Sequence, residues 1–231
     1  MYTILTLLAC VGVSLAAQCC VPPQWTSMAS FLTAVVRNGK PYYSRGLLSI
    51  GYDAVRHRIG QYVSEQINNG ANSMAIGVLL DYQANLKWVK DVNSGKCYKM
   101  PLNRKLEDFV GCISENATVV GNKDAFGFDS NVMTLNTYSM DYPGLRVYTS
   151  LTSDSCVPVG ETFSGSIDGH SFIENVHYYN VSAGLSTNPA DDPLVVPPRG
   201  CETASNFDGN FHYLGLDNII GRRSAFSILG F

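Results

Sequence analysis

Apolar and polar residues alternate with a period of two along most of the chain. Leu48, Ile50 and Tyr52 fall on one side of an extended strand, and Ser49, Gly51 and Asp53 on the other. Val55, His57, Ile59 and Val63 oppose Arg56, Arg58 and Tyr62 in the same way. Ile76, Val78, Leu80 and Tyr82 form another stripe, Leu86 with Trp88 the next, and Leu145, Val147, Thr149 and Leu151 one more. This period marks half-buried antiparallel strands. Asn38-Gly39 and Asn69-Gly70 supply turn signals between such runs. Cys97 sits in a short strand, residues 96–100. Residues 101–130 read as loop-rich, and residues 26–36 as one or two helical turns. Residues 171–181 carry bulky side chains on both faces, which leaves two covered faces or a bulge open. No long helical period stands out. The pattern predicts an antiparallel all-β domain of many strands. Such a sheet must curve to bury its stripes, and a concave apolar face is where small apolar ligands bind.

Residues 176–201 organise the rest of the reading. They start as a strand, Val176-His-Tyr-Tyr-Asn-Val181, which Gly184 breaks. A turn-prone segment, residues 186–193, leads to Leu194-Val195-Val196, then Pro197-Pro198 and Cys201. A Pro-Pro pair is extended and lacks N–H donors, so it does not fit a central strand or a helix. The stretch reads as a surface crossing pinned by a disulfide.

Compartment follows from the amino-terminal end. Residues 4–17 are almost wholly apolar, and Ser14-Leu15-Ala16 fits a signal-peptidase site. The run is shorter than the roughly 20 residues that a membrane-spanning helix needs. Residues 1–16 are therefore expected to be a cleaved signal, 17–201 the folded domain and 202–231 a tail. Cleavage removes Cys10 and leaves Cys19, Cys20, Cys97, Cys112, Cys156 and Cys201. An even number in a secreted chain points to disulfides, and no C-x2-C pair suggests zinc. The sequons at Asn116 and Asn180 fit glycosylation in the same compartment. Net charge is −3 with no basic cluster, which argues against nucleic acid as a partner.

Candidate chemistry is sparse. His57, His170, His177 and His212 have no ligand spacing to one another, and no G-x-S-x-G elbow or H-E-x-x-H motif occurs. A hydrolase reading would need a structure that brings a histidine within reach of a serine. Calcium would need clustered oxygen ligands. Asp191-Asp192, the loop carboxylates of residues 124–129 and Asp208-Gly-Asn210 offer only weak patterns of that kind. In the tail, Gly221-Arg222-Arg223 has the form of a dibasic processing site, read here as a solvated basic pair.

Six stretches together resemble the ependymin-related family of secreted glycoproteins. They are Cys19-x-x-Pro22-x-x-Trp25; Leu47-Leu-Ser-x-x-Tyr52-Asp53 with Arg56-x-Arg58; Cys97-x-Lys99-Met100; Asn116-Ala-Thr118; Cys156-x-Pro158-Val159 with Glu161-Thr-Phe163; and Tyr178-Tyr-Asn-Val181 through Gly184 to Pro197-Pro-x-x-Cys201. They fall in the family's order and cover residues 19–201. The resemblance implies two curved antiparallel sheets forming a half-barrel with a concave hydrophobic pocket for a lipid or other apolar molecule, and the lack of a nucleophile–base pair in the sequence adds the expectation of a non-enzymatic protein. The resemblance also implies association with calcium, cell adhesion and the extracellular matrix, and dimerisation. Its pairing carries over as Cys19 with Cys156 and Cys97 with Cys201. The vertebrate-type third bridge has no counterpart here. Cys20 and Cys112 are expected to pair instead, although the adjacent Cys19 and Cys20 leave an exchange of partners open. This departure suggests an invertebrate branch, where such proteins occur in secretions and shell matrix. The alternative function is then a structural matrix component in which calcium and surface contacts, rather than a pocket, carry the role.

Overall fold

The computed structural model describes residues 19–67, 72–102, 111–128, 130–167, 169–185, 192–201 and 204–206. Twelve strands occur among them: β1 (Gln24–Arg37), β2 (Lys40–Asp53), β3 (Arg58–Ile67), β4 (Asn72–Asp81), β5 (Leu86–Asp91), β6 (Cys97–Pro101), β7 (Thr118–Phe128), β8 (Asn131–Tyr142), β9 (Leu145–Thr152), β10 (Pro158–Ile167), β11 (His170–Ala183) and β12 (Ser205–Asn206). Their order is β12-β6-β5-β4-β3-β2-β1-β11-β10-β9-β8-β7. All neighbours are antiparallel except β12 against β6. The fold is all-β, as the alternation predicts. Hydrogen bonding runs unbroken from edge to edge, so the two curved sheets of the resemblance are halves of one open curved sheet.

The strands form where a polar residue separates apolar ones, because successive side chains then face opposite sides. Trp25, Ser27, Ala29, Phe31 and Thr33 point inward from β1, and Leu48, Ile50 and Tyr52 from β2. Val63, Ile76, Val78, Val147, Leu151, Phe163, Val176 and Tyr178 join them in one concave-side core. Trp25 is at its centre, with ring centroids 5.9 Å from Tyr52 and 6.5 Å from Tyr178.

Two local expectations need correction, and one open choice is resolved. Residues 26–36 are strand, not helical turns. Met28, Leu32 and Val36 are apolar on the outward face as well, which hides the alternation of the inward set. Within the loop-rich stretch 101–130, β7 forms an edge strand whose register slips twice against β8, so its pattern has no clean period. Near the end of β11 the irregularity is a bulge, where the pairing shifts between Thr26 and Met28. Asn38-Gly39 makes the β1–β2 hairpin with both residues at positive φ. Asn69-Gly70 lies outside the described residues.

The β6–β7 connection runs from near one edge of the sheet to the other. Val21 N–H donates to Gly111 O and Ile113 N–H to Cys19 O, each at 2.8 Å. Cys19, Val21, Leu102 and Ile113 are all buried in the core. The described end of the connection, residues 111–113, thus pairs with the amino-terminal segment against the core.

Candidate functional site

Among the cavities lined by described residues, one lies on each face of the central strands. The concave one is lined by Phe31, Leu48, Gln61, Val63, Phe163, Glu174 and Val176 and has a volume of about 20 Å³. That is room for one water. Its polar rim is held from within the sheet. Thr33 Oγ1 donates to Glu174 at 2.5 Å, and the Tyr178 hydroxyl donates to the nearby Glu161 at 2.6 Å. Gln61 Nε2 is buried there without a hydrogen-bond partner. Around this cavity the inward side chains of β1, β2, β3, β10 and β11 pack closely.

The convex face is built differently. Its outward row across β2, β3, β4 and β5 reads Gly51, Gly60, Leu79 and Trp88, each paired with the next. The crossing segment 192–201 lies along this row as a strap. Added Cβ atoms would stand 2.7 Å from Leu194 Cβ at Gly51 and 1.2 Å from Leu194 O at Gly60. Only glycine lets the strap approach this closely. Val195 is fully buried as a result. Farther on, Leu79, Trp88 and Cys201 form a small separate core.

Four polar contacts and a disulfide hold the strap. Leu194 N–H donates to Asp192 Oδ1 at 3.0 Å. Val195 N–H donates to Asp192 O at 3.0 Å. Arg58, which pairs with Asp81 at 2.8 Å, also donates to Val195 O at 3.4 Å. Lys90 Nζ donates to Arg199 O at 2.7 Å. The far end is closed by Cys97–Cys201. The motif that ends Tyr52-Asp53 and continues Arg56-x-Arg58 is therefore structural. Asp53 accepts from Val55 N–H, Arg56 N–H, Arg56 Nε and Gln24 Nε2, which fixes the β2–β3 turn. Burial pushes the Asp53 carboxyl up, but those hydrogen bonds and the Arg56 charge outweigh it and hold the pKa below the ordinary value. On the inward face, burial and then Tyr82 raise the Tyr52 phenol to about 12.

Beside the strap, toward the next outward row of Tyr62, Gly77 and Lys90, a half-open cavity of about 240 Å³ remains. Leu79, Val92, Pro193, Leu194, Val196 and Pro198 give it apolar walls, and Lys90 and Arg199 supply positive charge. A Cβ at Gly77 would meet nothing nearer than Lys90 Cβ at 4.0 Å, so the missing side chain is floor space rather than a tight contact. The volume is just under the roughly 300–1,000 Å³ of drug-sized sites.

The residues singled out from the sequence lie mostly elsewhere. Cys19 is bonded to Cys156, Cys20 to Cys112 and Cys97 to Cys201. Asn116, before β7, and Asn180, at the β11 bulge with φ of 51°, are exposed. His170 and His177 belong to β11, and His57 to the turn before β3. His212, Asp191, Asp129, Asp208-Gly-Asn210, the signal segment and Gly221-Arg222-Arg223 lie outside the described residues. No group of three or more His, Cys, Asp or Glu that could hold a metal occurs among the described residues. No helix among them is long and apolar enough to cross a membrane. Gly60, Gly77 and Lys90 were not flagged by motif. The available signal was glycine inside an alternating strand, which marks close backbone approach.

The Ependymin family model matches residues 70–201. Ependymin-related protein 2 of Haliotis asinina is 26% identical over 192 residues, covering 79% of this chain and 91% of that protein. Ependymin-related protein 1 of the same organism is 26% identical over 151 residues, covering 61% and 70%. Among solved structures, a LolA superfamily protein from Nitrosomonas europaea aligns over 70% of this chain and 86% of its own, with a TM-score of 0.27 and 11% identity. A likeness that slight has no bearing on function.

Proposed function

The chain belongs to the ependymin family, and on that footing we propose that it is a secreted, glycosylated, non-enzymatic protein that binds an apolar small molecule. The observation that carries the reading is the cavity beneath the strap, 240 Å³ with mostly apolar walls. Apolar burial at about 25 cal/mol per Å² supplies the affinity, so few polar anchors are needed. The three disulfides fit the extracellular setting. Residues 1–16 act as the signal in this reading, and exposed Asn116, before β7, and Asn180, at the β11 bulge, carry glycans. The test is native mass spectrometry of the protein secreted from a eukaryotic host, followed by organic extraction and by addition of octanol. A stoichiometric apolar adduct, native or added, is the expected result. A clean mass that takes up no octanol would contradict the reading.

A second reading makes surface contacts the working part, in a calcium-dependent extracellular or shell matrix. It is favoured by the outward face of β11, β1 and β2, where Ile173, Tyr179, Met28, Leu32, Leu47 and Tyr43 are exposed among the described residues. A second copy of the chain is the occupant this reading names. Sedimentation with and without millimolar calcium tests it. A monomer under both conditions would contradict it.

A further inference from the structure

We propose that the cavity beneath the strap selects an amphiphile with a single anionic head, such as a short fatty acid, over a neutral one. This rests on the preceding reading that the cavity takes an apolar ligand. The argument is the distribution of charge around its walls. The lining residues include two cations, Lys90 and Arg199, and no acid. Asp91, the carboxylate next to Lys90 in sequence, is engaged at the β5–β6 turn, where it accepts from Asn93 N–H, Ser94 N–H and the Ser94 hydroxyl.

Lys90 is also placed for the role. It stands in the outward row directly opposite Gly77, so its stem forms one wall of the cavity. One of its three donors is used on Arg199 O, which ties the ammonium to the strap at the cavity margin. That bond fixes the charge where a ligand head would meet it, while an alkyl chain lies against Leu79, Leu194 and Val196. Arg199 is exposed, so its guanidinium acts at the rim. A carboxylate would therefore find charge-assisted donors at the rim and apolar walls beside them, the arrangement that separates an anionic amphiphile from its alcohol.

The experiment is calorimetric titration of octanoate and octanol into the secreted, disulfide-intact protein. Wild type is expected to hold octanoate about tenfold tighter, a difference of 1.4 kcal/mol, and the preference shrinks with added salt. In the Lys90→Met, Arg199→Gln double variant the ratio of octanoate to octanol affinity falls to about one, whatever the loss of the Lys90 bond to Arg199 O does to octanol affinity itself. Gly77→Leu fills the cavity and abolishes both. Val92→Trp narrows the same cavity from the loop side and is expected to weaken both, should the leucine variant not fold. Equal affinity for the two probes in wild type overturns the anionic preference and leaves the apolar-ligand reading standing. A preference that survives both the charge removal and the cavity-filling variants places the site elsewhere and overturns the inference. Failure of wild type to bind either probe overturns both.

Discussion

The concave and convex sides of the same four strands solve opposite packing problems. Inward, Ile50, Val63 and Val78 join Trp25, Phe31 and Val176 in one core, and the cavity bounded by Phe31, Leu48, Val63 and Val176 holds about 20 Å³. Outward, the rows carry Gly51, Gly60 and Gly77, and a strap from far along the chain lies over the first two. The space left beside the third is about 240 Å³. A sheet packed by its own side chains leaves little room for a guest. A sheet packed by a proline-stiffened segment leaves room wherever that segment and the strand residues fail to meet. On the proposed reading the inward face supplies stability and the cavity on the outward face takes the ligand.

The largest effect that would sharpen this division is in the interior. Trp25→Ala removes a fully buried ring and is expected to cost about 3–5 kcal/mol, read as a large fall in the denaturant midpoint. Next comes removal of the Cys97–Cys201 bridge by paired serines. The bridge spans 104 residues of chain, and its loss is expected to cost about 2–4 kcal/mol. Octanol uptake should fall with it, because the strap then keeps only its hydrogen bonds and the packing of Leu194 and Val195. Octanol uptake unchanged after bridge removal would break the link between strap and ligand.

Smaller effects test the glycines. Gly60→Ala forces the Leu194 carbonyl away and is expected to cost about 1–3 kcal/mol. Gly77→Ala, on the same face, meets open space and is expected to leave the midpoint unchanged or raise it by up to about 1 kcal/mol. Equal destabilisation by the two would contradict the placement of strap and cavity. The smallest expected effect is on acid stability. Asp53 has a folded pKa below its unfolded value of about 3.9. Its contribution is thus complete above that value and is lost as pH falls through the folded pKa. Asp53→Asn should flatten the stability profile below about pH 4 and leave its shape near neutrality unchanged.

Much of the interior was legible in the sequence because a buried stripe announces itself as alternation. The sets from Leu48, Ile76 and Leu145 onward all face the core. β1 was not legible, since its outward face is also apolar, and β7 was not, since two register shifts erase its period. The strap was recognisable from Pro197-Pro198 and Cys201, but not what it crosses. That depends on which strands sit side by side, and the pairing of Gly51 with Gly60 only exists once β2 and β3 are in register. The cavity was less legible still. It is defined by what Gly77 lacks and by the distance between a lysine and a carbonyl 109 residues away.

Hydrogen–deuterium exchange of the secreted protein with and without saturating octanol tests the central claim most directly. The account predicts added protection in residues 194–199 and in the facing parts of β3, β4 and β5, with β1, β10 and β11 unchanged. Protection confined to β1, β10 and β11 around the concave cavity, with the strap unaffected, would contradict it.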